Sequence, residues 1–81
     1  MDLATFSRNL HYAQLLADDI AKGYIRGLRR HYHGSNFGTP EEHLTWMALG
    51  TGNDPRVDLG NGYRAGFEGK PFAEVLDENT D

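Results

Sequence analysis

The chain carries one short motif twice, thirty-nine residues apart, and this repeat restricts its fold more than any other feature. "DIAKGYIRGL" at 19–28 aligns with "DLGNGYRAGF" at 58–67, and both contain G-Y-x-x-G followed by a large apolar residue. Each glycine inside a helix costs about 1 kcal/mol relative to alanine. Small residues four apart on a helix let a second backbone approach closely. We therefore predict a close helix crossing, flanked by the two motif tyrosines, at Gly23, Gly27, Gly62 and Gly66.

An amphipathic pattern predicts one long first helix, from Thr5 to about Tyr32, that Gly34 terminates. Its apolar residues recur at three- and four-residue steps, and they are Phe6, Leu10, Ala13, Leu16, Ile20, Tyr24 and Leu28. For a second helix, Thr39 is the expected N-cap, Pro40 fits the first position, and Glu42 completes a capping box. This helix is apolar nearly all round up to Gly50, which predicts that it is largely buried.

A third helix is expected to begin at Asp54 and Pro55. For 58–67 two structures compete, because Asn61-Gly62 is also a good two-residue hairpin turn. We favour a helix, since the first copy of the motif lies inside the predicted first helix. After Pro71, Phe72 and its neighbours are expected to dock as a last helical turn or an extended segment, and 77–81 is expected to be a mobile acidic tail.

These patterns predict an all-α fold, a small single-domain bundle of three main helices spanning 1–81. The expected core is Phe6, Leu10, Leu16, Ile20, Tyr24, Leu28, Leu44, Trp46, Met47, Val57, Tyr63 and Phe67. A chain of this length buries only about 60–65% of its unfolded surface, so its core is modest. A partner or a homodimer would add stability to such a domain.

Composition excludes several classes of protein. The chain has no cysteine, which rules out disulfide scaffolds, thiolate catalysis and cysteine-ligated zinc. His31 and His33 are two residues apart and do not face each other on a helix, so we expect no metal site. We likewise expect no cofactor and no enzymatic activity. The absence of a long apolar run and of a secretory signal predicts a soluble, cytoplasmic protein without membrane contact.

Parts of the chain resemble the ribosome modulation factor family. The resemblance lies in "GYIRGL", the glycine-containing turn, the proline and the tryptophan helix, and again in "GYRAGFEGKP". Its residues are Gly23, Tyr24, Gly27, Pro40, Trp46, Gly62, Tyr63 and Gly66. The resemblance implies a helical hairpin and association with the ribosome or RNA. The corresponding RNA-binding residues would form a basic strip along the first helix, made of Lys22, Arg26, Arg29, Arg30 and His33.

The charge distribution favours a different function. Residues 1–33 hold five basic and three acidic residues, a net charge of +2, whereas 34–81 hold three basic and nine acidic residues, a net charge of −6. In size and acidity the chain is similar to anti-CRISPR proteins of phages and mobile elements, which inhibit large nucleoprotein complexes by occlusion. We predict such a protein or nucleoprotein partner first, and direct nucleic-acid binding as the alternative. The predicted partner-binding residues are Asp18, Asp19, Glu41, Glu42, Asp54, Asp58 and Glu68.

Overall fold

The computed structural model describes residues 1–79, and within them the fold is all-α, as predicted. Five α-helices replace the three expected, and no strand occurs in the described range. The elements are α1 (Leu3–Leu16), α2 (Asp19–His33), a 3-10 turn (Gly34–Asn36), α3 (Pro40–Met47), α4 (Val57–Phe67) and α5 (Phe72–Glu78).

The prediction of one long first helix is wrong, because the chain breaks between α1 and α2. Ala17 adopts a left-handed conformation at φ 55° and ends α1, with its N–H donating to the Ala13 carbonyl. Asp18 then caps α2 by accepting from the Ala21 N–H. The two helices fold back on each other, so that Phe6 near the start of α1 stacks on Tyr32 near the end of α2 at 4.2 Å between ring centroids.

The predicted crossing of the two motif copies is confirmed, and it joins α2 to α4. A β-carbon added to Gly27 would lie 2.8 Å from the Phe67 nitrogen, and one added to Gly66 would lie 2.6 Å from the Leu28 nitrogen. No side chain fits between the backbones at these positions. The cost of interior glycines is therefore offset by close contact between two helices.

The crossing helices α2 and α4 run parallel, and an approximate two-fold symmetry relates one to the other. Gly23 faces Leu59 and Tyr63, and Gly62, thirty-nine residues later, faces Ile20 and Tyr24. Leu59 and Tyr63 stand thirty-nine positions after Ile20 and Tyr24, so each motif makes the same contacts with the other helix. The sequence repeat is therefore also a structural repeat. Parallel neighbours require the chain to return along their length, and residues 34–56 provide that return.

The start of α3 is confirmed, but its predicted burial is wrong. The Thr39 hydroxyl accepts from the Glu42 N–H, and Pro40 occupies the first turn. The predicted capping box is only half formed, because the Glu42 carboxylate pairs with Arg26. No residue of α3 is buried, and the Leu44 side chain is 68% exposed. The helix lies on the edge of the α2–α4 pair, where only one of its faces meets other elements. An apolar sequence all round therefore did not indicate burial here.

At 58–67 the structure is a helix and the hairpin alternative is excluded. The helix begins at Val57, and its expected start at Asp54 and Pro55 is wrong. Asp54 is instead bonded to Arg56, through both the backbone N–H and the guanidinium. The Asp54 carboxylate is therefore already bonded to Arg56, three residues before the helix begins.

The last helix, α5, docks against α1 and α2 through Phe72, whose ring packs on Tyr12 and Tyr24. Phe72 and Val75 are both fully buried in the core. The buried Asn9 side chain accepts from the Phe72 N–H at 2.8 Å. The Tyr24 hydroxyl donates to the Lys70 carbonyl just before this helix. Of the predicted acidic tail, Asp77 and Glu78 belong to α5, whereas 80–81 lie outside the described residues.

The predicted core is confirmed where it meets the crossing and wrong at its edges. Buried as predicted are Phe6, Tyr24, Leu28 and Tyr63. Half-buried are Leu10, Ile20, Trp46, Met47 and Phe67. Exposed, against the prediction, are Leu16, Leu44 and Val57.

Candidate functional site

Five residues that the sequence groups as a basic strip all lie on α2, and we call them the α2 strip: Lys22, Arg26, Arg29, Arg30 and His33. The glycine face of α2 meets α4, and its buried face at Ala21 and Leu28 belongs to the core shared with α1. The remaining side of the helix carries the strip. The crossing therefore fixes which side of α2 is open to a partner.

Two members of the α2 strip are held by the segment that contains α3. The Arg26 guanidinium lies over the rings of Trp46 and Phe37, at 4.8 and 5.5 Å from the ring centroids. Its Nη2 is 3.4 Å from Glu42 Oε2. Arg30 donates to the Phe37 carbonyl at 2.8 Å. These contacts attach residues 34–56, the return segment, to α2. They also engage the guanidinium groups of two of the five strip residues.

The other three members remain available. Lys22 and His33 are exposed and Arg29 is half-buried. None of the three side chains makes a hydrogen bond or an ion pair within residues 1–79, although the His33 ring packs edge-on against the rings of Phe6 and Tyr32. Along an α-helix, Lys22 and His33 are about 16 Å apart, at 1.5 Å per residue. This leaves Lys22 and Arg29 as cations of the strip without an internal partner, with His33 at the C-terminal end of the line.

Much of the predicted acidic set is already engaged within the protein. Asp18 caps α2, Glu42 pairs with Arg26, and Glu68 Oε2 lies 3.6 Å from Lys70 Nζ. The Arg56 hydrogen bonds hold the pKa of the Asp54 carboxyl far below its usual range. Of the seven predicted residues, the carboxylates without such a bond to the described residues are Asp19, Glu41 and Asp58.

The acidic residues do not form one surface. Because α2 and α4 run parallel, Asp18 and Asp19 lie at the same end of the pair as Asp54 and Asp58. Glu41 and Glu42 lie at the start of α3, and Glu68 follows the opposite end of α4. The structure thus places four of the seven at one end of the α2–α4 pair and three elsewhere.

Two histidines have structural roles that the sequence did not indicate. His31 Nδ1 lies 2.8 Å from the Phe67 carbonyl and donates to it, at the end of α4. His43 Nδ1 lies 2.8 Å from the Tyr63 hydroxyl, and burial together with the nearby Arg30 charge lowers the pKa of His43. Nowhere in residues 1–79 do three His, Cys, Asp or Glu side chains come together as a possible metal-binding group.

A polar cleft of about 330 Å³ lies between α4 and α5, but its cations are occupied. Arg64 donates to the carbonyls of Met47 and Leu49 at 2.8 Å. Lys70 lies between Glu68 and Glu78, and these carboxylates raise its pKa. Carbonyl and amide oxygens thus already engage Arg64, and two carboxylates surround Lys70, whereas Lys22 and Arg29 of the α2 strip have no such partners.

The sequence predicted the residues of the α2 strip but not the side chains that contact Arg26. The aromatic contacts of Arg26 come from Phe37 and Trp46, and the partner carboxylate follows sixteen residues later in the chain. Helical periodicity along α2 shows which residues share a face. It carries no information about a return segment that folds over the same helix.

Among residues 1–79, no helix combines the length and apolar character that a membrane crossing requires. No family model, no curated protein and no solved structure matches the chain.

Proposed function

We propose that this protein is a non-enzymatic RNA-binding module, a ribosome- or RNA-associated modulator that acts in the cytoplasm. The observation that carries the proposal is the line of unpaired groups on α2, formed by Lys22, Arg29 and His33. Phosphate contacts supply most of the affinity of such proteins, and they need cations that no internal carboxylate neutralises.

Local charge supports RNA binding although the whole chain carries −4. The helix α2 holds four Lys or Arg residues and one Asp, a net charge of +3. The unpaired acidic residues Asp19 and Asp58 lie towards the N-terminal end of the α2–α4 pair. An acidic body repels RNA elsewhere and so orients the strand on the basic face.

Single-stranded RNA is the form that fits this face best. The half-buried rings of Phe37 and Trp46 lie beside the strip and retain exposed surface. Arg26 already lies over both rings, so an unpaired base would stack on the part of a ring that the guanidinium leaves exposed, while its phosphate contacts the neighbouring cations. In double-stranded RNA the bases stay stacked on one another, so such RNA would contact the α2 strip through its phosphates alone.

Fluorescence anisotropy with a short labelled single-stranded RNA tests the proposal. We expect Arg29→Gln to weaken binding about threefold to tenfold, and to reduce the slope of log affinity against log salt by about 0.7. Arg8→Gln is the matched control, because Arg8 is an exposed arginine on α1 outside the strip. Equal losses in both variants, or no binding by the wild-type protein, would contradict the proposal.

A second candidate function follows from the clustering of aspartates at one end of the α2–α4 pair. Asp19 and Asp58 are exposed there without a partner in the described residues, and they could meet the basic groove of a nucleoprotein complex. On this proposal the protein is a phage or mobile-element inhibitor of the anti-CRISPR kind that acts by occlusion. Charge reversal, Asp19→Lys with Asp58→Lys, should abolish binding to the inhibited effector and leave RNA binding intact.

A further inference from the structure

Arg26 differs from the other members of the α2 strip because an acidic side chain already holds it, and holds it weakly. Its Nη2 is 3.4 Å from Glu42 Oε2, and the two side chains are 39% and 52% exposed. Charge-assisted hydrogen bonds between such groups are usually about 2.7–2.9 Å long. Solvent-exposed ion pairs contribute little to stability, so another anion can replace this carboxylate at small cost.

The same guanidinium is incompletely bonded. Arg26 Nε is buried, and it has no acceptor among the described residues. The rings of Trp46 and Phe37 hold the guanidinium, and the cavity beside it measures only about 10 Å³. A phosphate does not fit inside that cavity, so it must approach from the exposed side, where the Glu42 carboxylate now lies.

A phosphate suits this position better than the carboxylate does. A guanidinium can bind two oxygens of one phosphate through parallel N–H bonds, which a single contact of 3.4 Å does not provide. Arg29 and Lys22, three and four residues away along α2, can hold the neighbouring phosphates. An RNA strand anchored at those residues thus delivers a phosphate to Arg26 at high effective concentration.

We propose that Glu42 is an internal competitor for RNA at Arg26. When a single-stranded RNA binds the α2 strip, one of its phosphates displaces the Glu42 carboxylate and takes Arg26 as an additional anchor. This inference rests on the proposed RNA-binding function. On this proposal the first turn of α3, which carries Glu42, limits the affinity of the α2 strip for RNA. Because α3 has no buried residue, this role places little demand on the core.

The chain offers a matched pair of variants for the test. Glu41 and Glu42 are adjacent in the first turn of α3, and only Glu42 contacts Arg26. In anisotropy titrations with the same RNA, we expect Glu42→Gln to bind about fivefold more tightly than wild type, the gain that corresponds to loss of one exposed ion pair. Glu41→Gln removes the same charge and should change the affinity less than about twofold.

A double-mutant cycle identifies Arg26 as the site of competition. Once Arg26→Gln has removed the anchor, adding Glu42→Gln should change RNA affinity no more than adding Glu41→Gln does. Circular dichroism of each variant verifies that the helices remain. A reduced helix signal in Glu42→Gln together with tighter binding would overturn the proposal, because unfolding rather than competition would then expose the strip.

The outcomes separate this inference from the function on which it rests. Equal tightening by Glu41→Gln and Glu42→Gln would overturn the competition and leave RNA binding standing. The same holds if the effect of Glu42→Gln persists in the Arg26→Gln background. Absence of RNA binding in both wild type and Glu42→Gln would overturn the competition and the proposed function together.

Discussion

The two motif tyrosines show how one residue type serves two ends of the same crossing. Tyr24 and Tyr63 occupy equivalent positions in the repeat, and both are buried. The Tyr24 hydroxyl donates to the Lys70 carbonyl and its ring packs on Phe72, which joins α5 to the crossing. The Tyr63 hydroxyl meets His43, which joins α3 to the crossing. Each tyrosine therefore fixes one peripheral helix.

Burial of Tyr24 predicts a loss of stability at high pH. Desolvation raises its pKa to about 12, against about 10 in the unfolded chain. Between pH 10 and 12 the unfolded state releases this proton and the folded state keeps it. The free energy of unfolding therefore falls as pH rises across that window, by about 2–3 kcal/mol from this group, and is unaffected by it below pH 10.

Urea unfolding at pH 8 and at pH 11.5 measures this loss. Tyr24→Phe should be less stable at pH 8 by about 1 kcal/mol, because the Lys70 carbonyl loses its donor. Its stability should fall less than that of wild type between the two pH values. The raised pKa values of Tyr63 and Lys70 contribute to both proteins alike. Equal pH dependence in the two proteins would contradict the account.

The sequence predicted most residues of the crossing but few of the ion pairs. Glycine and tyrosine positions follow from the repeat, and their burial follows from the amphipathic pattern. The pairing of Arg26 with Glu42 depends on how the return segment folds, sixteen residues away along the chain. Charge composition alone could therefore not show that Glu42 is engaged while the adjacent Glu41 is free.

At the scale of elements, the parallel α2–α4 pair organises the fold. Its contact is made of backbone against backbone, which explains why four interior glycines are tolerated. Sequence reasoning found this pair, and it chose helix over hairpin correctly at 58–67. It missed the break before α2, because the apolar residues continue at helical spacing through Leu16 and Ile20. Asp18 as an N-cap was the signal that could have revealed it.

Adding one methyl group at the crossing should separate the helices. We expect Gly27→Ala to lower the free energy of unfolding by about 3 kcal/mol, since its β-carbon would lie within 2.9 Å of the Tyr63 carbonyl carbon and neither backbone can yield. Larger changes, such as Gly27→Leu or Gly66→Leu, should prevent folding.

Gly52→Ala is the contrasting control for this prediction. A β-carbon there would meet no atom within 4 Å, and only its φ of 60° opposes the substitution. We expect a cost of about 1 kcal/mol in urea unfolding. If Gly27→Ala were no more destabilising than Gly52→Ala, close backbone contact would not explain the repeat.

At the scale of the whole molecule, the domain is flat, with extents of 37 × 33 × 17 Å. A flat domain leaves most helices with an open face, which is why no residue of α3 is fully buried and why Leu15 and Leu44 are exposed. The return segment covers Arg26 and Arg30 on the outer side of α2, whereas Lys22 and His33 remain exposed there. Charge is separated along the α2–α4 pair, with aspartates at its N-terminal end and arginines and histidines near the C-terminal end of α2.

Chemical-shift mapping of the ¹⁵N-labelled protein with a saturating short single-stranded RNA tests the central claim most directly. The account predicts that the largest changes fall on the amides of Lys22, Arg29 and His33 and on the Trp46 indole N–H. It also predicts that the signals of Asp54 and Asp58 stay in place. Changes centred on those aspartates, or no changes at all, would contradict the claim that the outer face of α2 binds RNA.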